Sequence, residues 1–154
     1  MRNANLLPIL PQQLEPLFFE YIETIEIPLL ASCISAGFPS PADDYLEENI
    51  NIGRYLIQNP ASTYMMRVKG NSMVEANIHE GDILIIDRAQ DAADGLPVIC
   101  ILEGEFTVKT FKRIKDKAFL VPANPAYKSI EVTEEMDMRV WGVVVWILHK
   151  PVKL

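Results

Sequence analysis

Apolar and polar residues follow one rhythm at the start of the chain and another from about residue 61. Leu14, Leu17, Phe18, Tyr21, Ile22 and Ile25 recur three or four positions apart, with Glu15, Glu20, Glu23 and Glu26 between them. That spacing puts the apolar side chains on one face of a helix. Pro16 fits its first turn, and Pro28 ends or kinks it. A helix this short does not hold its shape alone, so its apolar face must pack on the body or on a partner. Residues 1–36 therefore read as a partly helical, flexible N-terminal arm. Pro39 and Pro41 then favour extended, accessible backbone. A short helical turn over Asp43–Glu48, capped by an aspartate, is expected within the 37–60 linker.

From residue 61 the pattern changes to strands. Tyr64–Val68, Asp82–Asp87, Leu96–Leu102, Glu105–Lys112, Ala118–Val121 and Met138–Leu148 alternate or run apolar over strand-like lengths. Gly81-Asp82 opens the second of these, and Glu103-Gly104 is a two-residue hairpin signal. Residues 71–80 have room for one short helix. The fold class is mainly β: a 61–154 domain of six or seven strands carrying a helical arm. Phe106, Phe119, Trp141 and Trp146 are expected in its core, and Met65-Met66 in the core or on a dimer surface. Glu75, Asp82 and Asp87 read as turn and surface charges.

Composition narrows the class. The chain has 154 residues, 49% of them hydrophobic and 23% charged, enough for one compact domain with an arm. The apolar run Val140–Leu148 is about half the ~18 residues that span a membrane. Pro8 and Pro11 break the apolar start, so neither a membrane span nor an export leader is expected. Cys33 and Cys100 make no disulfide framework, and reduced thiols of a cytoplasmic protein are the expectation. His79 and His149 stand far apart in sequence without a Cys or carboxylate motif, so no metal or cofactor is expected.

The net charge of −7 bears on partners. Residues 1–60 hold two basic and eight acidic residues, and the remainder 12 basic and 13 acidic. Phosphate binding needs a basic face. Lys109, Lys112, Arg113, Lys115 and Lys117 are the one candidate, interrupted by Asp116, and they read more simply as a solvated strand edge guarded by lysines. Direct nucleic-acid binding is not expected.

Two residues carry candidate chemistry. Ser72 lies in the polar turn Gly70-Asn71-Ser72-Met73, where a serine commonly caps a helix. Lys109 lies on a strand whose alternation puts Thr107, Lys109 and Phe111 on one face. A lysine on an apolar face either snorkels to water or loses its charge. A neutral lysine beside a serine is a base that can make a nucleophile. Spacing alone leaves both readings open for each residue.

Four segments, in order, carry a resemblance. They are Ala36-Gly37-Phe38-Pro39-Ser40-Pro41; Gly70-Asn71-Ser72-Met73 followed by Ile78 and Gly81-Asp82; Gly104-Glu105-Phe106-Thr107-Val108-Lys109; and Trp141-Gly142-Val143-Val144-Val145. Together they resemble the LexA/UmuD family of self-cleaving serine–lysine peptidases over about residues 27–150, and within it the UmuD-like branch. The resemblance implies a LexA/signal-peptidase-like β-rich domain. It implies Ser72 as nucleophile, Lys109 as general base, and Ala36 and Gly37 as the residues flanking the cleaved bond. It also implies an SOS-response protein that is a homodimer. A RecA–single-stranded-DNA filament would stimulate its cleavage, and the trimmed form would serve a Y-family (UmuC-like) polymerase in translesion synthesis. Ala36 stands where UmuD itself carries cysteine and LexA-type repressors carry alanine, Asn71 where relatives often carry Met or Asp, and Met1–Gln12 has no counterpart in UmuD.

Other classes are weighed against this one. A LexA-type or phage-type repressor needs a helix-turn-helix unit, which 36 acidic, proline-broken residues do not make. A signal-peptidase-like enzyme would need a membrane anchor. A non-enzymatic interaction module would use Ser72 as a cap and Lys109 as a snorkelling residue. Gln13–Phe18 and Ile27-Pro28-Leu29-Leu30 loosely resemble peptides that bind the replication sliding clamp, against the simpler reading of an amphipathic face docked on the body.

Overall fold

The computed structural model describes residues 26–30 and 46–151. The expected arm helix over Leu14–Ile25, the 36–37 bond and Cys33 lie outside the described residues. The chain divides into two compact units between Ala61 and Ser62.

In the first unit, β1 (Glu26–Leu30) pairs antiparallel with β2 (Leu46–Asn51). The helical turn expected over 43–48 is not found at 46–48, which are strand. Five cross-strand pairs, from Glu26↔Asn51 to Leu30↔Leu46, outweigh a local cap. Pro28 is tolerated because a two-stranded ladder leaves one side of each strand unpaired. Every β1 residue is exposed. The short helix α1 (Ile52–Leu56) follows, capped by Asn51, whose Oδ1 accepts the Arg54 N–H at 3.0 Å.

The second unit is one seven-stranded antiparallel sheet in the order β3-β4-β9-β5-β6-β7-β8. The strands are β3 (Thr63–Arg67), β4 (Ile83–Asp87), β5 (Pro97–Leu102), β6 (Glu105–Ile114), β7 (Lys117–Val121), β8 (Ile130–Val132) and β9 (Met138–Leu148). Glu103 and Gly104 both take positive φ, 49° and 82°, as a two-residue turn joining β5 to β6 requires. β9 is the spine, paired with β4 on one side and β5 on the other. Gly142 permits this: a Cβ there would sit 2.6 Å from Ile86 Cγ2 and 3.2 Å from the Asp87 carbonyl.

Two apolar clusters form the core. One gathers Val68, Met73, Ile78, Leu84, Ile86, Ile99 and Val144. The other gathers Val98, Cys100, Phe111, Leu120 and Val143. Phe119 and Trp141 are half-buried, but Phe106 and Trp146 are exposed, against expectation. Phe106 lies beside the β5–β6 turn and packs edge-on against Trp141, centroids 5.5 Å apart, on an open rim instead of in the core. Met65 is exposed, and Met66 packs on the first cluster.

Asp82 and Asp87 also differ from expectation, because both are buried. Each carboxylate replaces water with fixed donors. Asp82 accepts the His79 N–H at 2.8 Å and lies 2.7 Å from His149 Nδ1. Asp87 accepts the Ser62 hydroxyl at 3.0 Å and the Ala89 N–H at 2.8 Å. Burial pushes the Asp82 carboxyl up, and the His79 N–H together with His149 outweighs this, holding it below the usual carboxylate value. Among the described residues no helix is long and apolar enough to cross a membrane.

Candidate active site

Ser72 sits in the loop between β3 and β4. The loop is closed at its base, where the Val68 N–H donates to the Asp82 carbonyl (2.9 Å) and the Gly81 N–H to the Val68 carbonyl (3.0 Å). Met73 and Ile78, each 1% exposed, plug the loop into the core. The Met73 carbonyl accepts from both the Ala76 and Ile78 N–H groups, winding one 3-10 turn over Val74–Ala76. This turn is the short helix expected within 71–80. The residue after Ser72 is thus anchored by its side chain and its carbonyl together.

A second loop, between β7 and β8, grips the first from outside. The Ala123 carbonyl accepts the Glu75 N–H at 2.8 Å. Asn124 Nδ2 donates to the Asn71 carbonyl at 2.8 Å, and the Tyr127 hydroxyl donates to Asn71 Oδ1 at 2.6 Å.

Lys109 lies mid-strand on β6, only 9% exposed, beside buried Phe111 two positions on. Its Nζ is 3.1 Å from Ser72 Oγ, 2.8 Å from Thr107 Oγ1 and 2.9 Å from the Val108 carbonyl. A neutral amine has two N–H bonds and one lone pair. Thr107 and Val108 can take the two N–H bonds, which leaves the lone pair for the Ser72 hydroxyl proton. Burial pulls the Lys109 ammonium below the ordinary lysine value, with Cys100 acting slightly the other way. Burial pushes the Cys100 thiol up to about 11, so at neutral pH it is uncharged and offers the lysine no counter-ion. The arrangement can take a proton from a serine hydroxyl and hand it on.

The structure brings Ser72 and Lys109, 37 positions apart in the chain, within one hydrogen bond of each other. Strand alternation alone puts Thr107 on the same face as Lys109. Asn124 and Tyr127 went unseen, because an Asn-Pro-Ala-Tyr loop carries no period that points at a partner 53 or 56 residues away. His79 and His149, far apart in sequence, bring their ring centroids within 5.4 Å beside Asp82. Among the described residues no group of three or more His, Cys, Asp or Glu side chains is arranged to hold a metal ion.

Comparison with known proteins gives one family and several relatives. The Peptidase S24-like family description matches residues 28–145. Protein SamA of Salmonella typhimurium is 41% identical over 123 residues, covering 80% of this chain and 85% of SamA. Protein MucA of Escherichia coli is 37% identical over 119 residues, covering 77% of this chain and 81% of MucA. The LexA repressor of Stenotrophomonas maltophilia is 34% identical over 125 residues, covering 81% of this chain and 58% of the repressor.

Proposed function

The chain belongs to the Peptidase S24-like family, as a UmuD-like member of its LexA/UmuD group, and from that premise we propose that Ser72 and Lys109 cut the chain's own Ala36–Gly37 bond. The observation that carries this reading is the 3.1 Å contact between Lys109 Nζ and Ser72 Oγ, made where burial favours the neutral amine.

The reaction begins with Lys109 accepting the Ser72 hydroxyl proton as Oγ attacks the Ala36 carbonyl carbon. Negative charge collects on the carbonyl oxygen, and backbone N–H groups near Ser72, its own among them, receive it. The tetrahedral species collapses, and protonated Lys109 gives its proton to the departing Gly37 amine. Water attacks the Ala36–Ser72 ester, with Lys109 again taking the proton, and the serine is restored. A small side chain at Ala36 suits a crowded site, and Gly37 lets backbone come close. The products are residues 1–36 and 37–154. Tethering supplies the substrate at an effective concentration on the order of millimolar, so no separate affinity pocket is needed.

In this reading the protein serves the SOS response. A RecA–single-stranded-DNA filament stimulates the cut, and the trimmed homodimer joins a Y-family polymerase in translesion synthesis. The arm, residues 1–36, is the part removed. The acidic balance of residues 1–60 supports work through proteins more than through direct contact with DNA.

Intact mass after incubation of the purified chain, beside Ser72→Ala and Lys109→Ala, tests the core of this. The expected result is two fragments of wild type, divided after Ala36, and none from either variant. Cleavage that persists in either single variant removes the dyad. RecA filaments added to the wild type then test stimulation.

A further inference from the structure

The grip on the Asn71 carbonyl has a consequence for the neighbouring peptide. A trans peptide is planar, and its C=O and N–H point in opposite directions. No cis peptide occurs among the described residues. The carbonyl of Asn71 and the N–H of Ser72 belong to one such plane. Asn124 Nδ2 holds that carbonyl at 2.8 Å, so it also fixes the direction of the Ser72 N–H. Among the described residues no group accepts from this N–H. It is a free donor on the residue that carries the nucleophilic oxygen.

We infer that Asn124 is a positioning residue: by gripping the Asn71 carbonyl it aims the Ser72 N–H at the oxygen that becomes negative during cleavage. The inference rests on the peptidase reading and adds to it the residue that orients the donor. An oxyanion donor works because it is aimed before charge develops. A peptide plane in an exposed turn is free to rock about its flanking dihedrals, and a donor that rocks must be re-aimed in every turnover. Here two other bonds back the grip. Tyr127 holds the Asn71 side chain at 2.6 Å, and the Ala123 carbonyl holds the Glu75 N–H on the far side of Ser72.

Asn124 has two separable tasks. Its Oδ1 accepts the Ala126 N–H at 2.9 Å and so shapes its own turn, while its Nδ2 reaches across to Asn71. Asn124→Asp keeps the acceptor and the shape but loses the donor, at the cost of a new charge. Asn124→Ala loses both, without adding a charge. What the two variants share is the loss of the grip.

The experiment is the self-cleavage rate of the full chain from neutral pH to about pH 10, for wild type and both variants, with melting temperature as the check on folding. Removal of an oxyanion donor costs roughly 100- to 1,000-fold, and one left in place but unaimed should cost about 10-fold or more. The expected result is a loss of about that size in both variants. In Asn124→Ala the loss is the same at every pH, because the midpoint belongs to Lys109. A wild-type rate in either variant overturns the inference, since then the turn or the charge is what matters. A loss in Asn124→Ala that vanishes at high pH also overturns it, because the effect would then run through the base. A wild-type chain that does not cleave removes the peptidase reading and this one with it. A cleaving wild type with unaffected variants removes this one alone.

Discussion

The Ser72 loop and the β1–β2 ladder are both short stretches of backbone outside the central strands, and they are built in opposite ways. The loop is sewn down from two sides. Met73 and Ile78 are buried beneath it, the Val68–Gly81–Asp82 bonds close its base, and Ala123 and Asn124 hold its outer edge. In β1 all five residues are exposed, with Ile27, Leu29 and Leu30 each open over nearly half their surface. A two-stranded ladder is marginal in water without a third layer. The segment that carries Ala36 and Gly37 begins where β1 ends and finishes where β2 begins. Ser72, the proposed nucleophile, is preorganised, while β1, which precedes the bond it would attack, is exposed throughout. A self-cleaving chain needs that asymmetry: catalytic atoms that do not move, and a substrate that can enter and leave.

The largest expected effect falls on the rigid side and is read by pH. Where Lys109 is mostly protonated, the cleavage rate should climb about tenfold per pH unit. It should level off at the folded-state pKa, below the ordinary 10.5. The same shift has a stability sign. Between the folded-state pKa and 10.5 the unfolded chain binds a proton that the folded chain does not, so unfolding free energy should rise with pH across that window. A rate that falls from neutral pH to pH 9 would contradict a neutral lysine base.

Next in size is Met73→Ala. Removing a side chain that is 1% exposed should cost about 2–5 kcal/mol in denaturant unfolding and slow cleavage as well, because the anchor beside Ser72 is gone. At the small end, Ile27→Ala in exposed β1 should change unfolding free energy by less than about 0.5 kcal/mol. If the two substitutions cost the same, the contrast between a sewn loop and a loose ladder is wrong.

Much of the second unit was legible in the residues. Alternation or a strand-length apolar run marks six of its seven strands, and Glu103-Gly104 marks the β5–β6 turn. β8 escapes because three residues, Ile-Glu-Val, are too few to show a period. The β1–β2 ladder escapes because its partners lie up to 25 positions apart, and no local rule names a pairing partner. Asp82 and Asp87 look like surface charges until their donors, His79, His149, Ser62 and Ala89, are in place. Within the candidate site, strand alternation puts Thr107 beside Lys109, whereas Asn124 and Tyr127 reach Asn71 only through the fold. Short-range patterns report which side chains are buried, and not which distant loop closes over them.

The ladder has one more consequence for the proposed reaction. Scission at Ala36–Gly37 puts β1 on one fragment and β2 on the other. Before the cut, the two strands meet as parts of one molecule, and their encounter does not depend on how much protein is present. Afterwards the five β1–β2 pairs become a contact between two separate chains, subject to mass action. At high protein concentration the cut chain could keep its arm, and at low concentration it would shed it. The chemistry breaks the bond, but dilution completes the separation.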